Sequence, residues 1–265
     1  MTFVAIASLS AVGLFVGMLV FVEIGRHVGS ARLARNPEGL AKGIGPVEGA
    51  AFGLLGLLLA FTFSGAASRF VERRHLIVEE ANAIHAAYLR VDLLPGDAQP
   101  EMRALFRRYL DLRLETYRNP GRATVPTLVA SAEAKLAETV ELQKEMWKKA
   151  LTASQRPGGS PDALKLLLPA LNATFEITTT RAMATENHPP LVVFLLLGAL
   201  SLIGSLLVGY SMSGNKERGW FHAVVFAAMM SLVVFVIVNL EFPRLGLIRV
   251  DPADHFLVEV RQSMD

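Results

Sequence analysis

The chain contains no cysteine. Disulfides and thiolate-bound metals are therefore excluded as sources of stability or chemistry. Motifs that carry common enzymatic chemistry are missing as well. HExxH, a Walker loop, GxSxG and GxGxxG do not occur, and no paired-carboxylate pattern has a supporting context. The expectation is a protein that is not an enzyme and holds neither metal nor cofactor. Net charge is only +2, and no basic block is interleaved with aromatics. Nucleic acid is accordingly not an expected partner. Strand-like alternation and internal repeats are also wanting.

Charge itself is scarce in particular places. Charged residues make up 19% of the 265, but four stretches have almost none: 3–22, 47–67, 190–210 and 220–240. Each matches the ~20 residues that a helix rising ~1.5 Å per residue needs to cross a bilayer. With a mean hydropathy of +0.41, the chain reads as an all-α, multi-pass membrane protein with four transmembrane helices. The first stretch is not a cleaved signal peptide, because it lacks a basic n-region and its apolar core is too long.

The polar residues between the second and third spans read as helical. One helix continues out of the second span through "RFVERRHLIVEEANAIHAAYLRV" and stops at "LLPGDAQP", where Pro95, Gly96 and Pro100 break it. A second is "EMRALFRRYLDLRLETYR". A third, Thr127 to Ser154, aligns Val129, Ala132, Leu136, Val140, Trp147 and Leu151 on one stripe. A fourth runs from Ala163 towards His188, with a kink expected near Pro169. The expected organisation is a first transmembrane hairpin over 1–67, a helical extramembrane domain over 68–189, a second hairpin over 190–241 and a tail over 242–265 packing on the helical domain.

With four spans, both termini and the helical domain share one side. Arg26, Arg32, Arg35, Lys42, Lys216 and Arg218 lie on the other, against Arg244, Arg249 and Arg261 in the tail. Short-segment charges alone put the helical domain outside the cell. Adding the membrane-proximal Arg69, Arg73, Arg74 and Arg181 gives seven against six the other way, but long domains count less in this rule, so the charges lean towards an external domain.

The second span carries the most specific pattern. At ~100° per residue, Gly49, Gly53, Gly56, Ala60, Ser64 and Ala67 share a narrow stripe, a surface that lets a neighbouring helix approach closely. The opposite face carries Glu48, Ala51, Leu55, Leu58, Thr62, Arg69 and Arg73, with Leu59 at its edge and Phe63 further round. Copies packed small face to neighbour around an axis would give a pore with an apolar constriction at Leu55, Leu58 and Thr62. Glu48 would sit at one mouth and Arg69 and Arg73 at the other, where they would draw anions. The same residues also suit an ordinary bundle: Glu48 complements a helix dipole, the arginines snorkel, and the leucines face lipid. Elsewhere, Glu79, Asn82 and His85 share a helical face, more suited to a polar seam than to a metal. Asn239 and Glu241 close the fourth span, where Glu241 could meet Arg244.

"VEGAAFGLLGLLLAFTFSGAASRF", "RRHLIVEEANAIHAAYLRVDLLP", "NATFEITTTRAMATENHPP" and "LEFPRLGLIRVDPAD" resemble the bacterial bestrophin-like membrane proteins over nearly the whole chain. Two positions depart from that family: His85 stands where a small residue is expected, and Asn239 where aspartate is expected. "LLGLLL" and "RFVERR", with Arg69, Phe70, Glu72 and Arg74, are similar to the second helix of bestrophins proper. The resemblance implies a bestrophin-like homo-oligomeric ion channel, pentameric, in a bacterial inner membrane. Chloride or other ions would pass a hydrophobic neck on the second helix, with anion conduction favoured. The neck would fall among Leu55, Leu58, Leu59, Thr62 and Phe63, and the helical domain would lie in the cytosol. Asp251, Asp254 and Glu259 are too sparse for an acidic calcium clasp, so calcium gating is not expected. The alternative is a non-conducting membrane scaffold or sensor whose helical domain binds a partner.

Overall fold

The computed structural model describes residues 3–35, 44–118, 125–156, 159–214 and 220–265. Lys42, Lys216 and Arg218, counted above for orientation, lie outside the described residues. Eight α-helices are assigned, and no strand occurs among the described residues. They are α1 (Phe3–Arg35), α2 (Ile44–Leu89), α3 (Gln99–Arg118), α4 (Val125–Ser154), α5 (Pro161–Glu186), α6 (Leu191–Ser211), α7 (Trp220–Glu241) and α8 (His255–Gln262). Four apolar helices, in α1, α2, α6 and α7, are long enough to span a membrane. The second span does continue as helix into the polar residues, and it ends in a 3-10 turn, Arg90–Leu93, just before Pro95.

The helices form two compact units. The first comprises Met1–Ser68 and His188–Ile248. Its close packing is made by α1 against α6. A side chain at Gly25 would collide with the Leu206 carbonyl, and one at Gly209 with the Val22 carbonyl, so here the backbones themselves touch. This is how helices gain contact energy in lipid, where no hydrophobic effect separates helix from acyl chain. Ser201 and Ser205 are buried in α6 without penalty because they donate to the carbonyls of Leu197 (2.7 Å) and Ser201 (2.9 Å). The apolar part of α2 packs on α6 and α7: Phe52 meets Phe226 edge-on at 5.9 Å, and Phe52 and Leu55 both lie against Gly204.

In the last turn of α7, Asn239 is buried, donates to the Phe235 carbonyl (2.8 Å) and accepts from the Leu247 amide (2.7 Å). An amide does both, whereas an ionised carboxylate only accepts. That is the local reason asparagine suits a position where the resemblance implies aspartate. Next to it, Glu241 is fully buried with His188 Nδ1 at 3.5 Å from Oε2, and the His188 ring stacks on Phe242 at 4.3 Å.

The second unit comprises Arg69–Asn187 and Arg249–Asp265. Its core is apolar, built around Phe106, Tyr109, Met146, Leu167 and Leu171, with Leu257 of α8 included. On α4 the core face is Leu142, Met146, Ala150 and Ala153. Of the stripe expected from the sequence, Trp147 packs partly against the core, but Leu136, Val140 and Leu151 are exposed. The side chains of Val129 and Ala132 lie outside the described residues. The C-terminal segment is tied to the unit by Tyr88 and Arg107 donating to the Met264 carbonyl (3.0 and 3.1 Å) and by Arg261 bonding Asp111 (2.8 Å). The hydrogen bonds that Arg261 donates to Asp111, aided by Asp265, raise its pKa above the ordinary value, so the guanidinium keeps its charge throughout the physiological range.

Candidate pore helix

Over the apolar part of α2 one face is closed and the other open. Leu55 (3% exposed), Leu59 (9%), Thr62 (8%) and Ala66 are buried within the protomer. Thr62 also satisfies its hydroxyl on the Leu58 carbonyl at 2.7 Å. Leu58 and Glu48 are half-buried, and one carboxylate oxygen of Glu48 is buried without a hydrogen-bond partner. The small residues lie on the opposite side: Gly49, Gly53, Gly56, Ala60 and Ser64 are all exposed, and a side chain at any of the three glycines would meet nothing within 4 Å.

The small face of α2 is thus open in the protomer, and on the other face Leu55, Leu59 and Thr62 are covered. Leu55 lies against Gly204 of α6 in the same chain, and Leu55, Leu59 and Thr62 expose little surface in the protomer. Both faces of this helix are apolar, and hydrophobicity alone does not separate a helix's lipid side from its protein side. Within the protomer, the glycines at which backbones meet are Gly25 and Gly209. The signal was present in the sequence as glycines four apart at Gly13 and Gly17 and again at Gly25 and Gly29.

The open face of α2 has two halves. At 100° per residue, Gly49, Gly53, Gly56, Ala60 and Ser64 form one. Leu54, Leu57 (53% exposed) and Phe61 (68% exposed) form the other. Phe63, 43% exposed, lies on the far flank of the small half, about 160° from Phe61.

Arg73 is buried, and its guanidinium donates to the Ala184 carbonyl from Nε and to the Asn187 carbonyl from a terminal nitrogen, both at 2.9 Å. It therefore caps the C-terminus of α5, where a cation also meets the negative end of the helix dipole. That role accounts for Arg73 without a pore mouth. Arg69 is half-buried and Arg74 exposed.

Sequence reasoning missed a buried ion cluster in the second unit. Glu80 is fully buried between Arg113, whose Nε lies 2.6 Å from Oε1, and Arg181, which contacts Oε2. Nearby, Tyr109 shares a 2.7 Å hydrogen bond with Thr178, and Thr174 donates to the Ala83 carbonyl at 3.2 Å. The expected row of Glu79, Asn82 and His85 divides. Glu79 pairs with His75 (3.1 Å), while Asn82 and His85 face α8 across a shallow pocket shared with Glu259 and Ser263. Among the described residues no three His, Asp or Glu side chains converge as metal ligands.

Four helices apolar and long enough to cross a membrane, in a chain that is helical throughout its described elements, define an all-helical membrane protein of bestrophin fold. The chain matches the model of the Bestrophin-like domain over residues 11–254, and it belongs to that family. Solved structures agree on the fold. Three crystal structures of single-substitution variants of a bacterial bestrophin homolog from Klebsiella pneumoniae superpose with TM-scores of 0.68, 0.69 and 0.68 at 16%, 14% and 18% identity. They cover 94%, 96% and 95% of this chain and 97% of each of those. No curated protein matches.

Proposed function

We propose that the chain assembles with itself into a homo-oligomeric ion channel, five copies around an axis, in which α2 forms a hydrophobic neck. The observation that carries this reading is the open face of α2, which is apolar, uncovered in the protomer, and divided into a small half and a large half. Set against an adjacent copy, the small half permits close helix approach. The large half then turns to the axis. Leu57 and Phe61, one turn apart, form two apolar rings, a constriction of the kind that gates by dewetting. In this reading residues 69–187 are an extramembrane helical domain inserted between the second and third spans, the tail packs on that domain, and the spans lie in a bacterial plasma membrane. Anion preference is read from the arginines that follow the span, Arg69, Arg73 and Arg74, of which Arg73 has donors on backbone carbonyls.

The chain in planar bilayers should carry discrete currents, and its native mass should equal five chains of 28.8 kDa. Phe61→Ala should raise conductance severalfold. Leu55→Ala should instead lower stability by about 2 kcal/mol, the lower range for emptying a buried leucine site, with conductance little changed. Arg69→Glu should shift the reversal potential in a salt gradient towards cation preference. An intact oligomer that passes no ions, in bilayers or in salt-loaded liposomes, would instead favour a scaffold.

A further inference from the structure

A shallow trough crosses the helical unit between α2 and α5. Ala83, Ala86, Ala170 and Ala173 form its floor, and it holds about 360 Å³, within the ~300–1,000 Å³ typical of small-ligand sites. Four alanines at one place leave that space unfilled. One large apolar side chain in its lining, Leu166, is exposed. The charged side chains of the lining are both cations, Arg90 and Lys165. Lys165 meets Asp162 at 2.9 Å on the outer surface. Arg90 donates to the Ala86 carbonyl at 2.5 Å, which holds its guanidinium back along α2. No acid faces it among the described residues, whereas Arg103, Arg108, Arg156 and Arg261 of the same unit each face one.

An apolar trough headed by a guanidinium with open donors calls for a ligand with hydrocarbon at one end and negative charge at the other. We propose that it binds a single-chain amphiphile with an anionic head, of the fatty-acid carboxylate class. The planar guanidinium matches a carboxylate through paired hydrogen bonds. Each methylene laid on the alanine floor adds burial that favours binding. A cationic head is repelled by Arg90, and an uncharged head accepts at most a single weaker hydrogen bond there. This site is independent of conduction, so loss of binding and absence of current are separate results.

The test uses the chain held in phosphatidylcholine nanodiscs, with labelled dodecanoate as probe and empty nanodiscs as blank. Saturable binding above the blank is expected, displaced by unlabelled dodecanoate and not by dodecylamine or dodecanol. Arg90→Glu should weaken it at least tenfold, and Ala173→Leu, which fills the floor, should do the same without touching the cation. Arg108→Glu, on another face, should leave it unchanged. Equal binding by Arg90→Glu and the parent chain would overturn the proposal, as would displacement by dodecylamine. So would the absence of saturable binding to the parent oligomer, the result expected if another copy already covers the trough.

Discussion

Glu80 holds two arginines that lie 33 and 101 residues away in the chain. A buried carboxylate between two guanidiniums makes each partner depend on the others, because removing one leaves uncompensated charge in a low-dielectric interior. Breaking such a pair costs about 3–5 kcal/mol. Glu80→Ala should therefore loosen α3 around Arg113 and α5 around Arg181, read as faster amide hydrogen exchange in those segments. Exchange in α1, α6 and α7 should be unchanged, since they belong to the other unit. Glu80→Gln, which keeps an acceptor but no charge, should fall between. Unaltered exchange in Glu80→Ala would mean that the cluster does not hold the helices. No local pattern announces this site: Glu79-Glu80 beside Arg73, Arg74 and His75 reads as a solvated helix face, and the partners are set by tertiary packing.

Among whole elements, the contrast between glycines on α1 and on α2 is the sharpest. At Gly25 the α6 backbone occupies the place of a side chain; at Gly53 nothing stands within 4 Å. Gly25→Leu should thus separate α1 from α6 and prevent folding of the membrane unit, seen as loss of a monodisperse species in detergent. Gly53→Leu should leave the protomer folded and act only on assembly, seen as a change in native mass. If Gly25→Leu behaved like the parent chain, the close α1–α6 approach would be wrong. The spans and helix ends were legible in the sequence because charge-free runs, Pro95 and Gly96 are local signals. The facing of α2 was not. In a soluble helix the polar face identifies solvent, but in lipid both faces are apolar and only partner shape distinguishes them. On α4 a similar ambiguity arises: Leu136, Val140 and Leu151 have the right period for a core face, but the smaller set ending in Ala150 and Ala153 is the one that packs.

For the molecule as a whole, the open question that sequence and fold bring to a decisive test is the side on which the helical unit lies. Counting short segments only, six positive residues oppose three in the tail, which would export the helical unit. Arg69, Arg73, Arg74 and Arg181 bring its side to seven, and three of these follow within a few residues of the second span's apolar stretch. Residues close to a span end weigh most in orientation, which favours cytoplasmic placement of the helical unit. The chain has no native thiol, so one introduced cysteine reports without background. Glu141 suits it, being exposed on α4 and, among the described residues, paired with Lys144 in the next turn at 2.7 Å, an interaction worth well under ~1 kcal/mol. Glu141→Cys should resist a membrane-impermeant maleimide in intact cells and react once the membrane is opened. Labelling of intact cells would place the helical unit outside and show that the short-loop charges outweigh the arginines that follow α2.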